Sequence, residues 1–174
     1  QEFFDAQQRI LRWRAGGPAL FAVEALGLPE KWDDYTAEGV LPWQWEASKA
    51  LVEKKRLSIR SGHRVGKSAF MAWAILWFQS CFYPCKIGCT APTATQMSDV
   101  LWAELSLWHM KLLKKIPSLG SQFEWKRESL DMIATPKMSF AVARTARAEK
   151  PEALQGLHSA NMLIEADEAS GVPD

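Results

Sequence analysis

The stretch that decides the fold is residues 58–70, which read SIRSGHRVGKSAF. A short run of apolar and charged residues leads into a turn rich in Gly and Ser. The turn ends in Gly66-Lys67-Ser68, and a helical pattern rich in apolar residues follows. Residues 61–68 follow the phosphate-loop pattern G-x-x-x-x-G-K-[ST] at all but its first position. A strand before such a loop and a helix after it are the setting in which the pattern binds nucleotide phosphates.

Each residue type in this loop has a chemical reason. Gly66 lets the backbone approach the phosphates, and successive N–H groups at the positive end of the following helix surround the anion. The Lys67 ammonium reaches the β- and γ-phosphates, and the Ser68 hydroxyl is a ligand for Mg²⁺. Ser61 replaces the first Gly of the pattern, and Gly62 keeps a tight turn possible. The loop residues predicted to bind the nucleotide are Ser61, Gly62, His63, Arg64, Val65, Gly66, Lys67 and Ser68. A chance Gly-Lys-Ser at a helix start is the alternative interpretation.

An acidic motif far downstream supplies the expected partner of the loop. Residues 162–170 read MLIEADEAS, so Asp167 follows an apolar run that is typical of a buried strand. We expect Asp167 to hold Mg²⁺ through its water shell and Glu168 to orient and deprotonate an attacking water. Glu165 interrupts the apolar run, and a charge there is costly in a central strand unless it is paired. An Asp-Glu pair by itself is more typical of a solvated turn.

The composition fits one globular domain. The chain has 174 residues, of which 48% are apolar, enough for a real core. A net charge of +1 gives no overall attraction to nucleic acid or to a membrane surface. The apolar runs are too short to span a bilayer. Cys81, Cys85 and Cys89 are expected to be reduced, buried thiols rather than metal ligands. The chain does not begin with Met and stops on SGVPD, so we expect both ends to be trimmed.

Hydrophobic periodicity and Gly/Pro positions predict alternating helices and strands. Helices are expected over residues 2–14, 18–27, 42–55, 67–80 and 93–115. Strands are expected over residues 56–60, 86–91 and 161–167, and near 129–133 and 139–143. This alternation favours an α/β fold with a parallel sheet and right-handed crossovers.

The motifs together resemble a known family. The segments SGHRVGKS, CTAPTATQ and ALQGLHS…LIEADEASGVPD, in this order, are similar to the N-terminal ATPase domain of the large terminase subunit, the DNA-packaging motor of tailed bacteriophages. The resemblance covers about residues 42–174. It implies a P-loop NTPase fold of the ASCE type, with a mainly parallel sheet flanked by helices and a small helical N-terminal subdomain. Residues 1–41 would then be a helical lid or linker, and residues 42–174 an ATPase core that stops after its acidic strand, without the family's nuclease domain.

The resemblance also implies an activity and partners. The family hydrolyses ATP with Mg²⁺ to drive double-stranded DNA into a procapsid, and the full-length proteins are also endonucleases. Its members work as rings on the portal protein of the procapsid, together with a small terminase subunit, in the host cytoplasm and without a membrane.

Several residue roles carry over from the family onto matching positions. Gln44 in LPWQW matches the residue that reads the adenine edge, and Trp43 or Trp45 could cover the base. Lys67, Ser68, Asp167 and Glu168 keep the roles given above. Arg64 is the candidate arginine finger on the γ-phosphate, with Arg144 and Arg147 as alternatives. Thr93 and Gln96 match a loop that links nucleotide state to DNA grip, and His158 matches a structural position before the acidic strand.

Two other functions fit the same motifs. One is a helicase-like ATPase that acts on nucleic acid, and the other is a nucleotide-responsive binding module without turnover. The sequence also contains three short basic clusters that could contact DNA phosphates, although a solvated face or helix end is the more typical explanation of each one. These clusters are Lys54-Lys55-Arg56, Lys111-Lys114-Lys115 and Arg144-Arg147-Lys150.

Overall fold

The structure, a computed structural model, describes residues 2–60, 62, 65–145 and 156–167. The helices are α1 (Glu2–Leu26), α2 (Pro42–Lys54), α3 (Lys67–Cys81), α4 (Ala103–Lys115) and the single turn α5 (Pro117–Gly120), with a π-helical segment over Gln96–Trp102 that leads into α4. The strands are β1 (Cys85–Thr90), β2 (Phe123–Trp125), β3 (Ser129–Met132), β4 (Phe140–Ala143) and β5 (Asn161–Ala166). Among the helices of this described part, each is too short or too polar to cross a lipid bilayer.

Helix α1 contains the predicted break. Gly17 has φ 73° and ψ −168°, so two helical stretches meet there, and Pro18 begins the second one as the sequence predicts. Ser48 of α2 joins the two stretches, because its hydroxyl donates to the Gly16 carbonyl (3.1 Å) and accepts from the Ala19 N–H (3.0 Å). A Cβ on Gly17 would lie 2.5 Å from the Ser48 Oγ, so this crossing of α1 over α2 requires glycine.

The chain forms a mixed α/β fold in which helices flank a mixed sheet. In the described residues the sheet has five strands in the order β2-β3-β4-β1-β5. Strand β1 is parallel to both of its neighbours, β4 and β5, whereas β2, β3 and β4 pair antiparallel. The expectation of a mainly parallel sheet is therefore correct only around β1. The connections between β2, β3 and β4 are too short for the crossover that parallel neighbours need. These strands are therefore antiparallel.

The predicted strand over residues 56–60 is wrong, because this segment is extended but unpaired in the structure. An extended segment becomes a strand only when a neighbour accepts and donates its backbone hydrogen bonds. The sheet ends at β5 on one side and β2 on the other, and residues 56–60 join neither edge among the described residues. The short strand β2 was not predicted, and the first turns of the expected helix 93–115 are π-helical instead of α-helical.

The two faces of the sheet have different surroundings. Ile87, Cys89 and Ala141 point into one hydrophobic core, which also contains residues of α1 and α3 and is rich in aromatic side chains. Its buried tryptophans are Trp13, Trp73, Trp77, Trp102 and Trp108. On the opposite face, Met162 and Ile164 of β5 remain 49% and 46% exposed. Alternation along β5 therefore turns residues 161, 163 and 165 toward the helices. Residues of α1 share this core with residues of α3, so the core does not separate residues 1–41 from residues 42–174. The domain boundary expected at residue 41 therefore stays a prediction.

Candidate functional site

The end of the predicted phosphate loop begins helix α3. Gly66 has φ 79° and ψ 23°, the left-handed conformation, and it is the residue immediately before the first helical residue, Lys67. A Cβ at Gly66 would lie 2.9 Å from the Gln44 amide nitrogen, so both the backbone angle and the close contact favour glycine. No side-chain hydrogen bond caps this end of α3 among the described residues. A helix of 15 residues thus directs its positive end toward the loop.

Two side chains from the start of α2 hold the backbone of this loop. The Trp43 indole N–H donates to the Val65 carbonyl at 3.1 Å, and the Gln44 amide N–H₂ donates to the Gly66 carbonyl at 3.1 Å. The amide oxygen of Gln44 accepts the Leu41 N–H at 2.8 Å, so this side chain is bonded at both ends. Gln44 is only 2% exposed. Its place three residues after Leu41 is a capping-box position, which is the sequence signal that could have indicated the bond to Leu41.

The predicted adenine contacts remain predictions on this geometry. An amide group has two donor hydrogens and two acceptor lone pairs, so Gln44 keeps one of each beyond the bonds described above. The Trp43 ring packs against Phe70 of α3, with centroids 5.7 Å apart and planes tilted by 51°. Trp45, the other candidate to cover the base, donates its indole N–H to the Glu30 carbonyl at 3.0 Å. Helical geometry puts positions 43 and 45 on different sides of α2, so only Trp43 faces the loop.

The connection between α3 and β1 brings the loop to a defined end of the sheet. Helix α3 has 15 residues and spans ~22 Å, and β1 has six residues and spans ~20 Å. The three residues between them reach at most ~15 Å. Because α3 packs along β1, this short link requires the two to run antiparallel. The first residues of α3, Lys67 and Ser68, therefore lie toward the carboxyl end of β1.

The acidic residue Asp167 lies at the same end of the sheet. Its N–H donates to the Thr90 carbonyl at 2.9 Å, immediately after the ladder between β1 and β5. Asp167 continues the alternation of Leu163 and Glu165, which places it on the helix-covered side of β5. Its carboxylate and the Ser68 hydroxyl are hard oxygen ligands of the kind that Mg²⁺ prefers, with phosphate oxygens and water completing the shell. The donor set that was predicted for the metal therefore fits Mg²⁺.

Glu165 is buried beside this end of the sheet. It is 9% exposed and pairs in register with Cys89 of β1. Burial first, and then the nearby Asp167 carboxylate, raises the pKa of Glu165 well above its ordinary value. Its Oε2 atom has no hydrogen-bond partner among the residues that the structure describes. The sequence indicated that an unpaired charge at this position would cost free energy. Burial is the reason, because it removes the carboxylate from water.

Other predicted residues are placed around the same end or lie outside the description. The Arg144 N–H donates to the Cys89 carbonyl at 2.9 Å, which brings this arginine to the carboxyl end of β1. Thr93 and Gln96 form a local pair, since the Gln96 N–H and side chain both bond the Thr93 hydroxyl at 3.1 Å. His158 is exposed ahead of β5. The predicted residues outside the described ranges are Ser61, His63, Arg64, Arg147, Lys150 and Glu168.

No group of three or more His, Cys, Asp or Glu side chains that could hold a metal ion occurs within the described ranges. A magnesium site formed by Ser68 and Asp167 needs fewer protein ligands than that, because phosphate oxygens supply the rest.

In comparisons with known proteins, no family model matches the chain. No curated protein matches its sequence either.

Proposed function

We propose that this chain is the ATPase core of a viral motor that packages double-stranded DNA, a terminase large subunit. The observation that carries the proposal is the positive end of α3, which begins at a left-handed Gly66 and lies at the same end of the sheet as Asp167. An anion held there would meet backbone N–H groups, the Lys67 ammonium and a carboxylate-held cation together. The order of motifs from the loop to Asp167 is what favours a packaging motor among ATPases.

In the proposed reaction each residue has one task. The loop N–H groups and the Lys67 ammonium bind the β- and γ-phosphates, while the Ser68 hydroxyl and the Asp167 carboxylate hold Mg²⁺. When bound, Mg²⁺ neutralises charge on the phosphate oxygens. The Glu168 carboxylate accepts a proton from the attacking water as the bond from the water oxygen to the γ-phosphorus forms, while the bond from the γ-phosphorus to the β–γ bridging oxygen breaks and ADP leaves. An arginine, from Arg64 or from Arg144 or Arg147 of a neighbouring copy, stabilises the charge on the transferred group.

The partners in this proposal are those of the resembling family. They are double-stranded DNA, the portal of a procapsid, a small terminase subunit and further copies of the chain in a ring, acting in the host cytoplasm. Two of the basic clusters are exposed in the structure and are available to DNA phosphates. One lies at the end of α2 (Lys54, Lys55, Arg56), and the other lies on α4 (Lys111, Lys114, Lys115).

The test compares two site variants with a surface control. Lys67→Ala should weaken MgATP binding on the order of 10- to 100-fold, because it removes a charge-assisted contact to the phosphates. Glu168→Gln should keep MgATP binding and slow hydrolysis by about 10²- to 10⁴-fold. Isothermal titration calorimetry and phosphate release measure the two effects. Lys49→Ala, on the exposed side of α2, should change neither.

Three outcomes would contradict the proposal at different points. Unchanged affinity in Lys67→Ala would remove the phosphate site. Normal hydrolysis in Glu168→Gln would remove the assigned base. Tight ATP binding by the wild-type chain without phosphate release, even with DNA and procapsids, would favour a binding module without turnover.

A further inference from the structure

The start of helix α2 contacts the predicted phosphate loop through two backbone carbonyls. Trp43 donates to the Val65 carbonyl and Gln44 donates to the Gly66 carbonyl, each at 3.1 Å. Both donors come from one helical turn, and both acceptors belong to consecutive peptide groups. The amide oxygen of Gln44 is fixed by the Leu41 N–H at 2.8 Å, which determines the direction of its N–H₂ group. The contact is therefore specific for the orientation of two peptide planes.

The orientation of these carbonyls determines where the next N–H groups point. In a trans peptide the C=O and the following N–H point in opposite directions. With the Val65 and Gly66 carbonyls directed toward α2, the N–H groups of Gly66 and Lys67 are directed away from α2. A nest that binds phosphate needs consecutive N–H groups on one side and no carbonyl among them. The two bonds therefore keep the partially negative carbonyl oxygens of Val65 and Gly66 away from the side on which the N–H groups lie.

The support matters most for the peptide group before Gly66. Gly66 has φ 79° and lacks the side chain that restricts other residues, so the Val65–Gly66 peptide group rotates at low cost. The following peptide group is also held by α3 itself, because the Gly66 carbonyl accepts the Phe70 N–H at 3.1 Å. No side-chain hydrogen bond caps α3 at this residue in the described part of the chain. The supporting side chains are themselves well held, because Gln44 is 2% exposed and the Trp43 ring packs on Phe70 in the first turn of α3.

We propose that Trp43 and Gln44 are positioning residues of the phosphate loop, which orient its N–H groups for any triphosphate regardless of the base. This inference rests on the proposed function, since it concerns the same site. It differs from the family-derived role of these residues, in which they recognise adenine. A base reader affects only nucleotides that carry the right base, whereas a positioning residue affects the phosphate chain itself.

The experiment uses a ligand without a base. Binding of magnesium tripolyphosphate and of MgATP is measured by calorimetry for wild type, Trp43→Phe and Gln44→Met. Trp43→Phe keeps an aromatic ring against Phe70 and removes the indole donor, and Gln44→Met keeps the chain length and removes the amide. We expect each variant to lose about tenfold in affinity for both ligands, the value of one hydrogen bond, and to lose it equally for the two.

A matched control separates positioning from general destabilisation. Trp102→Phe also removes an indole bond to a backbone carbonyl, that of Lys126 at 3.2 Å, and among the described residues this bond involves neither α2 nor residues 65–67. We expect Trp102→Phe to lower thermal stability about as much as the two test variants do. It should nevertheless leave the affinities for both ligands unchanged. Should Gln44→Met fail to fold, Trp43→Phe alone decides the question, together with the amide chemical shifts of Gly66 and Lys67, which should move in that variant without ligand.

The possible results have distinct meanings. Loss of ATP affinity with unchanged tripolyphosphate affinity would overturn the inference and identify a base reader. Equal losses in Trp102→Phe would also overturn it. If wild type bound neither ligand, or if Lys67→Ala bound both normally, the proposed function itself would fail and this inference with it.

Discussion

At the scale of single residues, the three cysteines illustrate how burial changes chemistry. Cys81, Cys85 and Cys89 are unbonded thiols, and all three are buried, as the general burial of cysteine in proteins predicts. Burial is the main cause in each case, and it raises the pKa of Cys81 to about 12 and the pKa of Cys85 to about 11. These thiols are therefore poor nucleophiles at neutral pH, since the thiolate is the reactive form.

The raised pKa of Cys81 predicts a loss of stability in alkali. Below pH 9 the thiol is protonated in both the folded and the unfolded chain, so its contribution to the free energy of unfolding is fully present. Above pH 9 the unfolded chain releases this proton while the folded chain retains it, and stability falls until the pH approaches the folded pKa of about 12. The Cys81 thiol alone should contribute a slope of about 1.4 kcal/mol per pH unit, to which Cys85 and Cys89 add because their pKa values are also raised. Urea unfolding between pH 8 and pH 10.5 measures it.

Cys81→Ala is the comparison for this slope. The variant should be less stable than wild type at pH 8, because it removes a buried side chain, but its free energy of unfolding should fall less steeply above pH 9. Parallel curves for the two proteins would show that the Cys81 thiol does not contribute to the alkaline loss.

At the scale of elements, Ser48 connects helices α1 and α2 by side-chain bonds to both halves of α1. Ser48→Ala removes the acceptor of the Ala19 N–H and the donor to the Gly16 carbonyl in a setting where Ser48 is 1% exposed. We expect the free energy of unfolding to fall by about 1–3 kcal/mol, because buried polar groups are left without partners. Chemical denaturation measures this loss.

An exposed serine supplies the control for that substitution. Ser121→Ala changes the same atoms in an exposed turn and should alter stability by less than about 0.5 kcal/mol. A loss in Ser48→Ala no larger than that of Ser121→Ala would mean that water satisfies the α1 groups when the hydroxyl is absent.

The helices were more predictable than the strands for a physical reason. Gly17, Pro18 and Pro42 act through their own backbone angles, so the break in α1 and the start of α2 follow from local sequence. Strand formation at residues 56–60 depended instead on a neighbour that the local pattern does not reveal. The three-residue strand β2 is too short to show alternation, and π-helical segments are so rare within helices that an apolar stripe predicts an α-helix by default.

At the scale of the whole molecule, the sequence predicts that the loop and the acidic strand end lie at one end of the sheet, but it does not predict how the loop is supported. The motif spacing indicated that Lys67, Ser68 and Asp167 share one end of the sheet, since a loop and a strand end are both read from local patterns. The bonds from Trp43 and Gln44 to the loop arise between α2 and α3, and no local pattern records the angle between two helices. The burial of Glu165 likewise depends on the packing of α3 over β5.

The central place of β1 in the sheet has a consequence for the order in which the chain folds. The register pairs Ile87 with Ala141 on one side and with Leu163 on the other, so both parallel ladders close long loops, whereas β2, β3 and β4 pair across short ones. Closing a longer loop costs more chain entropy before any contact compensates for it. Leu130→Ala in the antiparallel part should therefore slow refolding, and Leu163→Ala in β5 should mainly accelerate unfolding. Stopped-flow kinetics of the two variants measure this order, and equal effects on both rates would show that the sheet assembles in one step.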